Sequence, residues 1–147
     1  MEIHINYIKW LSSEEMHRDS LQWLSELNFI KDEHFFFENL LHTFSMQLSE
    51  LDIFSNEKEI IDVLNRSQRS NNNLIEAVQT HEKDLKIMVD GIDQPKDEKI
   101  YKETHRGLKV ETHEFFKNYR MLKTQIFDII KDLKKEEKLR LLFDKNH

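Results

Sequence analysis

A chain of 147 residues is long enough to bury one core of its own, and with only 2 Gly and 1 Pro it has few places to turn, so its length must go into long regular elements. The absence of Cys removes disulfides, thiol nucleophiles and thiolate metal ligands. A formal charge of −6 argues against a nucleic-acid partner, and no apolar run approaches the roughly 20 residues that span a bilayer.

The segment 1–11 mixes Glu2, His4, Asn6 and Lys9 among its apolar residues. It has neither the basic start nor the unbroken apolar stretch of a signal peptide, so the expected compartment is the cytoplasm. Ser12 and Glu15 have the spacing of a capping box. A first helix is therefore expected over about 13–51, with the seam Trp23, Leu27, Ile30, His34, Phe37, Leu41, Phe44, Leu48, Leu51. Residues 52–56 form the expected turn, with Ser55 or Asn56 as the next cap.

A second helix is expected over about 57–90, with the seam Ile60, Leu64, Ser67, Asn71, Leu74, Val78, His81, Leu85, Met88. The run Asn65 to Asn73 consists largely of residues that favour caps and turns, so two readings stay open: three helices, or four if this one breaks near 65–73. Gly91 stands where a terminating residue takes the left-handed conformation. Asp93 or Gln94 caps a third helix over about 95–143, with Pro95 in its first turn. Its apolar positions are Ile100, Leu108, Phe115, Tyr119, Leu122, Ile126, Ile129 and Leu133. The fold class that follows is all-α: one domain, an antiparallel bundle of three long helices with segment 1–11 packed on its flank.

Such a bundle needs only a narrow apolar stripe on each helix, yet this chain offers more. Phe35, Phe36 and Phe37 point in directions about 100° apart and cannot all face one core. Ile3, Ile5, Ile8, Trp10 and Leu11 cover one flank, or a second copy of the chain does, or both together. Beyond about Lys131 the third helix overhangs the start of the second. Lys134 to Lys138 carries no apolar residue, and then Leu139, Leu141, Leu142 and Phe143 come together. That cluster either folds back as a short helix or docks another chain.

His34 and His81 stand in seams where Leu would be the cheaper choice, so each needs a hydrogen-bond partner. With turns near 54 and 93, His81 falls level with His105 and Leu27. His34 falls level with Leu74 and with Thr112 or His113. Imidazoles and carboxylates on facing helices can hold zinc or iron. The candidate ligands are His34, Glu38, His81, His105, Glu111 and His113. His34-Phe-Phe-Phe-Glu38 shares the His-x-x-x-Glu element found in hemerythrin-like bundles, over five residues only, and the companion His-x-x-x-His is missing. The competing reading is a hydrogen-bonded polar layer that fixes helix register. With no Gly-rich phosphate loop and no strand-supported nucleophile, no catalytic residue is assigned.

The expectation is thus a non-enzymatic helical interaction protein, coiled-coil-like and self-associating or bound to a protein partner, with no nucleic acid, membrane or small-molecule substrate. Its interaction surface would be Phe35, Phe36, Phe116, Leu139, Leu141, Leu142 and Phe143. The alternative is a metal-binding bundle, redox or sensory. A third reading makes the histidines a pH switch, since a neutral buried imidazole charges as the pH falls below about 7.

Overall fold

The computed structural model describes residues 11–44, 54–91 and 95–145. They form three helices, α1 (Ser13–Thr43), α2 (Phe54–Asp90) and α3 (Pro95–Lys145), packed against each other with no strand among the described residues. The chain is an all-α helical bundle. No described helix is long and apolar enough to cross a membrane.

The start of α1 is fixed as its sequence requires. Glu15 N–H donates to Ser12 Oγ at 3.1 Å, and Met16 N–H donates to the Ser12 carbonyl at 3.0 Å. The first bond satisfies one orphan donor of the first turn, and the second is the opening i→i−4 bond of the helix. At the start of α3, Asp97 and Glu98 stand at the positive end of the helix dipole, and the missing N–H of Pro95 costs nothing there.

α2 runs unbroken through Asn65 to Asn73, so the three-helix reading holds. The seam supplies the reason: Leu64, Asn71, Leu74 and Val78 are all buried, and tertiary packing overrides weak local propensity. Gly91 follows α2, but no described glycine has a positive φ. Its small size matters differently from what the sequence suggested, because a Cβ there would lie 3.1 Å from the Ile87 carbonyl oxygen. The caps expected at Asp93 and Gln94, the turn 52–53 and the seam residues Leu48 and Leu51 lie outside the described residues, as does segment 1–10. Ser55 and Asn56 stand inside α2, one and two residues after its start.

Contacts gather the chain into two units, each drawn from all three helices. Unit 1 comprises Met1–Lys31 and Ser70–Phe116; unit 2 comprises Asp32–Arg69 and Lys117–His147. In unit 1 the buried side chains include Met16, Trp23, Leu27 and Ile30 of α1, Leu74, Val78 and Leu85 of α2, and Tyr101 and Leu108 of α3. Leu11, Met16, Leu85 and Tyr101 form a distinct cluster, joined by Met88. In unit 2, Phe37, Leu41, Ile60, Leu64, Leu122, Ile126, Ile130 and Leu133 are buried. A fully buried Leu or Phe contributes about 2 kcal/mol, so these seams carry most of the stability.

The seam of α3 departs from the sequence reading. Tyr101, Phe116 and Ile130 are buried, whereas Ile100 is exposed and Phe115 and Ile129 are half-buried. In these three pairs of adjacent apolar residues the inward choice is the later one. The polar members His105 and Thr112 complete a regular stripe from Tyr101 to Tyr119, and that stripe sets the phase.

Candidate functional site

The most polar part of the interior lies in unit 1. His81 and His105 are 3% and 0% exposed. His81 Nε2 and His105 Nδ1 are 2.8 Å apart, and His105 Nε2 is 3.0 Å from Asp19 Oδ2. The Asp19 carboxylate can only accept, so His105 carries its proton on Nε2 and presents a lone pair at Nδ1. His81 must then donate from Nε2. The result is a line of two donors, His81 to His105 to Asp19, running from α2 through α3 to α1.

Aromatic rings hold this line from both ends. Trp23 stacks on His105 with centroids 4.8 Å apart, and Tyr101 stacks on His81 at 4.0 Å with ring planes within 3°. Tyr101 Oη also donates to the His81 carbonyl at 3.0 Å. Asp19 and Trp23 are one turn apart on α1, as are Tyr101 and His105 on α3, so two helical turns facing α2 build the whole arrangement. Burial, and secondarily the adjacent His105, lowers the His81 pKa from 6.5 to about 4. Burial lowers that of His105 too, against the opposing pull of Asp19. Tyr101 is pushed up by burial and by the carboxylates of Glu82 and Asp84. Both imidazoles are therefore neutral at pH 7.

Close by, His17 Nδ1 donates to Glu82 Oε2 at 2.6 Å, nearer the surface. Two further hollows open in unit 1. One, of about 420 Å³, is walled by Leu85 and Val89 with His17 and Glu82 at its edge. The other, of about 270 Å³, lies between α2 and α3 and has His81, Asp84, Asp97 and Tyr101 in its wall. Asn71, fully buried, donates from Nδ2 to the Leu27 carbonyl at 3.0 Å and so ties α2 to α1.

Unit 2 has a smaller polar layer. His34 Nε2 shares a hydrogen bond of 2.9 Å with Ser67 Oγ, and its ring meets Tyr119 edge-on at 5.2 Å. Tyr119 Oη donates to Glu33 Oε1 at 3.2 Å, and Lys123 Nζ lies 2.7 Å from Glu33 Oε2. Burial, partly offset by Glu33, lowers the His34 pKa to about 4. Glu38 accepts from Gln68 Nε2 at 3.2 Å on the surface.

The candidate metal ligands are thus not gathered at one place. His81 and His105 do meet, as their levels implied. His34 meets Ser67 and Tyr119 instead of Leu74 and Thr112, and Glu38, Glu111 and His113 are exposed. The cause is register. The α1–α2 partners Leu27–Asn71, His34–Ser67 and His17–Glu82 are each centred on about residue 50, not 54. In an antiparallel pair each residue of error at the centre moves the partner by two. Among the described residues no three His, Asp or Glu side chains converge as a metal ion requires. The His81–His105 pair itself is a line and not a claw, because the two nitrogens facing each other are already joined.

The expected interaction residues divide. Phe35 and Phe36 are both 56% exposed. Phe36 contacts Phe37, and the buried Phe37 contacts Phe127, itself nearly half exposed, so three rings lead from the core of unit 2 to its surface. Phe116 must be removed from this surface, since it is buried in the α3 seam described above. α3 does not fold back: it continues to Lys145, with Leu139, Leu141, Leu142 and Phe143 exposed by 64, 61, 51 and 66%. Sequence reasoning missed the part in this line of Asp19, Trp23 (placed only as a seam residue) and Tyr101, and it missed Phe127. For the first three the signal was their i, i+4 spacing to one another or to His105, usable only once the register is known.

No family model matches the chain, and comparison with curated proteins and with solved structures found no similar protein.

Proposed function

We propose that the chain is a non-enzymatic helical interaction protein of the cytoplasm that associates with itself through the apolar surface of unit 2. The observation that carries this reading is the surplus of exposed large apolar side chains there: Phe36 and Phe127, both in contact with the buried Phe37, the exposed Phe35 next in sequence, and Leu139, Leu141 and Leu142 toward the end of α3. Single exposed apolar residues are ordinary, but grouped ones of this size mark surfaces that meet another protein. The polar layers of His34–Ser67 and Asn71–Leu27 serve in this reading to fix helix register.

The test is a comparison of the full chain with the variant Phe35→Ser/Phe36→Ser and with a chain lacking residues 139–147, by sedimentation velocity at several concentrations. Association of the parent chain that weakens in at least one variant, with helix content kept, supports the reading. A parent chain that stays monomeric at about 100-fold higher concentration than the dilute sample removes it.

A further inference from the structure

The hydrogen-bonded line Asp19–His105–His81 has one property that ordinary core packing does not require: while Asp19 stays ionised, its two joined imidazoles have room for one more proton and no place for two. With Asp19 ionised, both imidazoles are neutral and each ring donates from Nε2. A first proton can enter at His81 Nδ1, or at His105 Nδ1 with His81 changing tautomer. Either way the 2.8 Å ring-to-ring bond survives, and the cation lies against an aromatic face, Tyr101 for His81 or Trp23 for His105, with Asp19 as the counter-charge of the line. A second proton gives both rings two N–H groups. His81 Nε2–H and His105 Nδ1–H then point at each other, and the bond between them becomes a repulsion between two buried cations.

We propose that this line is a proton latch: it retains a first proton, and a second splits the His81–His105 bond and loosens the packing of α1 on α2 and α3 within unit 1. The groups that face it set its working range. From α1, the Asp19 carboxylate favours protonation. From α2, Glu82 favours it too, and Asp84 lies close enough to act on the neighbouring Tyr101. From α3, Lys109 opposes it, and each imidazole opposes a charge on the other. Burial opposes it from every side. The latch is therefore closed at neutral pH and opens in acid. It acts on unit 1 and does not depend on the association proposed for unit 2.

The experiment is a histidine ring titration of the intact protein by ¹⁵N NMR from pH 7.5 to 3.5. Emission of Trp23 is recorded in parallel in a Trp10→Phe background, because a protonated imidazole in contact with indole quenches it. His81 and His105 should titrate in two separate steps, both below pH 6.5. Amide protection at Val78 and Leu108 should survive the first step and be lost with the second. Both rings taking protons together near pH 6.5, with protection kept, overturns the latch. In His81→Gln the side chain still donates to His105 but takes no proton, so protection should persist at least one pH unit lower, a tenfold higher proton activity. An acid midpoint equal to that of the parent also overturns it. The ring titration needs no variant and decides the matter even if His81→Gln does not fold.

Discussion

Replacing His105 with Leu roughly keeps the volume of the side chain but leaves the buried His81 Nε2–H with nothing to donate to. An orphaned buried donor costs about 1–3 kcal/mol. The lost bond to Asp19 adds about 1 kcal/mol and no more, because that carboxylate is one-third exposed and water takes the vacated position. The single substitution should therefore destabilise the protein by about 3 kcal/mol, a large part of a typical 5–15 kcal/mol total. His81→Leu/His105→Leu removes donor and acceptor together, and the Tyr101 hydroxyl keeps its bond to the backbone carbonyl of residue 81. The pair should cost less than His105→Leu alone, with a coupling of about 2 kcal/mol in the double-mutant cycle. Urea unfolding followed by far-ultraviolet circular dichroism at pH 7.5 measures all four corners. Costs that simply add would refute the account of His81 and His105 as one hydrogen-bonded unit.

Acid should destabilise the fold in a defined window. The folded pKa values of His34 and His81, about 4, lie below the unfolded 6.5, so the unfolded chain binds more protons once the pH drops under 6.5. Stability should be flat above pH 7 and fall between about 6.5 and 4, by up to about 3 kcal/mol for each imidazole. Melting temperatures at pH 7.5, 6, 5 and 4 check this, and a constant value across the series contradicts it. Gly107→Ala places a Cβ where no atom lies within 4 Å, in the interior of α3, and should raise stability by about 0.8 kcal/mol in thermal melts. Gly91→Ala should bring no such gain, since its Cβ would press on the Ile87 carbonyl at 3.1 Å. Phe37→Ala should cost about 3–5 kcal/mol, whereas Phe35→Ala should stay within about 0.5 kcal/mol under dilute conditions. Equal losses at these two positions would mean that the outward placing of Phe35 is wrong.

The parts of this fold that were legible in the sequence are those set within a single helix. The capping spacing of Ser12 and Glu15 located the start of α1, and steps of three and four from Trp23 to Phe44 and from Ile60 to Leu85 named the buried positions, with Ser67 alone half-buried. The pairing of His81 with His105 was legible as well, because a centre near residue 93 gives the observed α2–α3 register. What depends on register between α1 and its neighbours was not. A turn centre four residues late shifts α1 against α2 by about two helical turns. That shift hid Asp19 and Trp23 and gave His34 the wrong company. Adjacent apolar pairs such as Phe115–Phe116 and Ile129–Ile130 were ambiguous for another reason. Two residues 100° apart both fit a broad stripe, and only the polar seam residues His105 and Thr112 fix which one turns inward.

Sedimentation equilibrium of the intact chain at neutral pH bears most directly on the central claim that the apolar surface of unit 2 is where this protein meets a second copy. The account predicts a concentration-dependent mass approaching at least twice that of the chain, returning toward the chain mass in Phe35→Ser/Phe36→Ser. A single species of chain mass across the whole concentration range would contradict it.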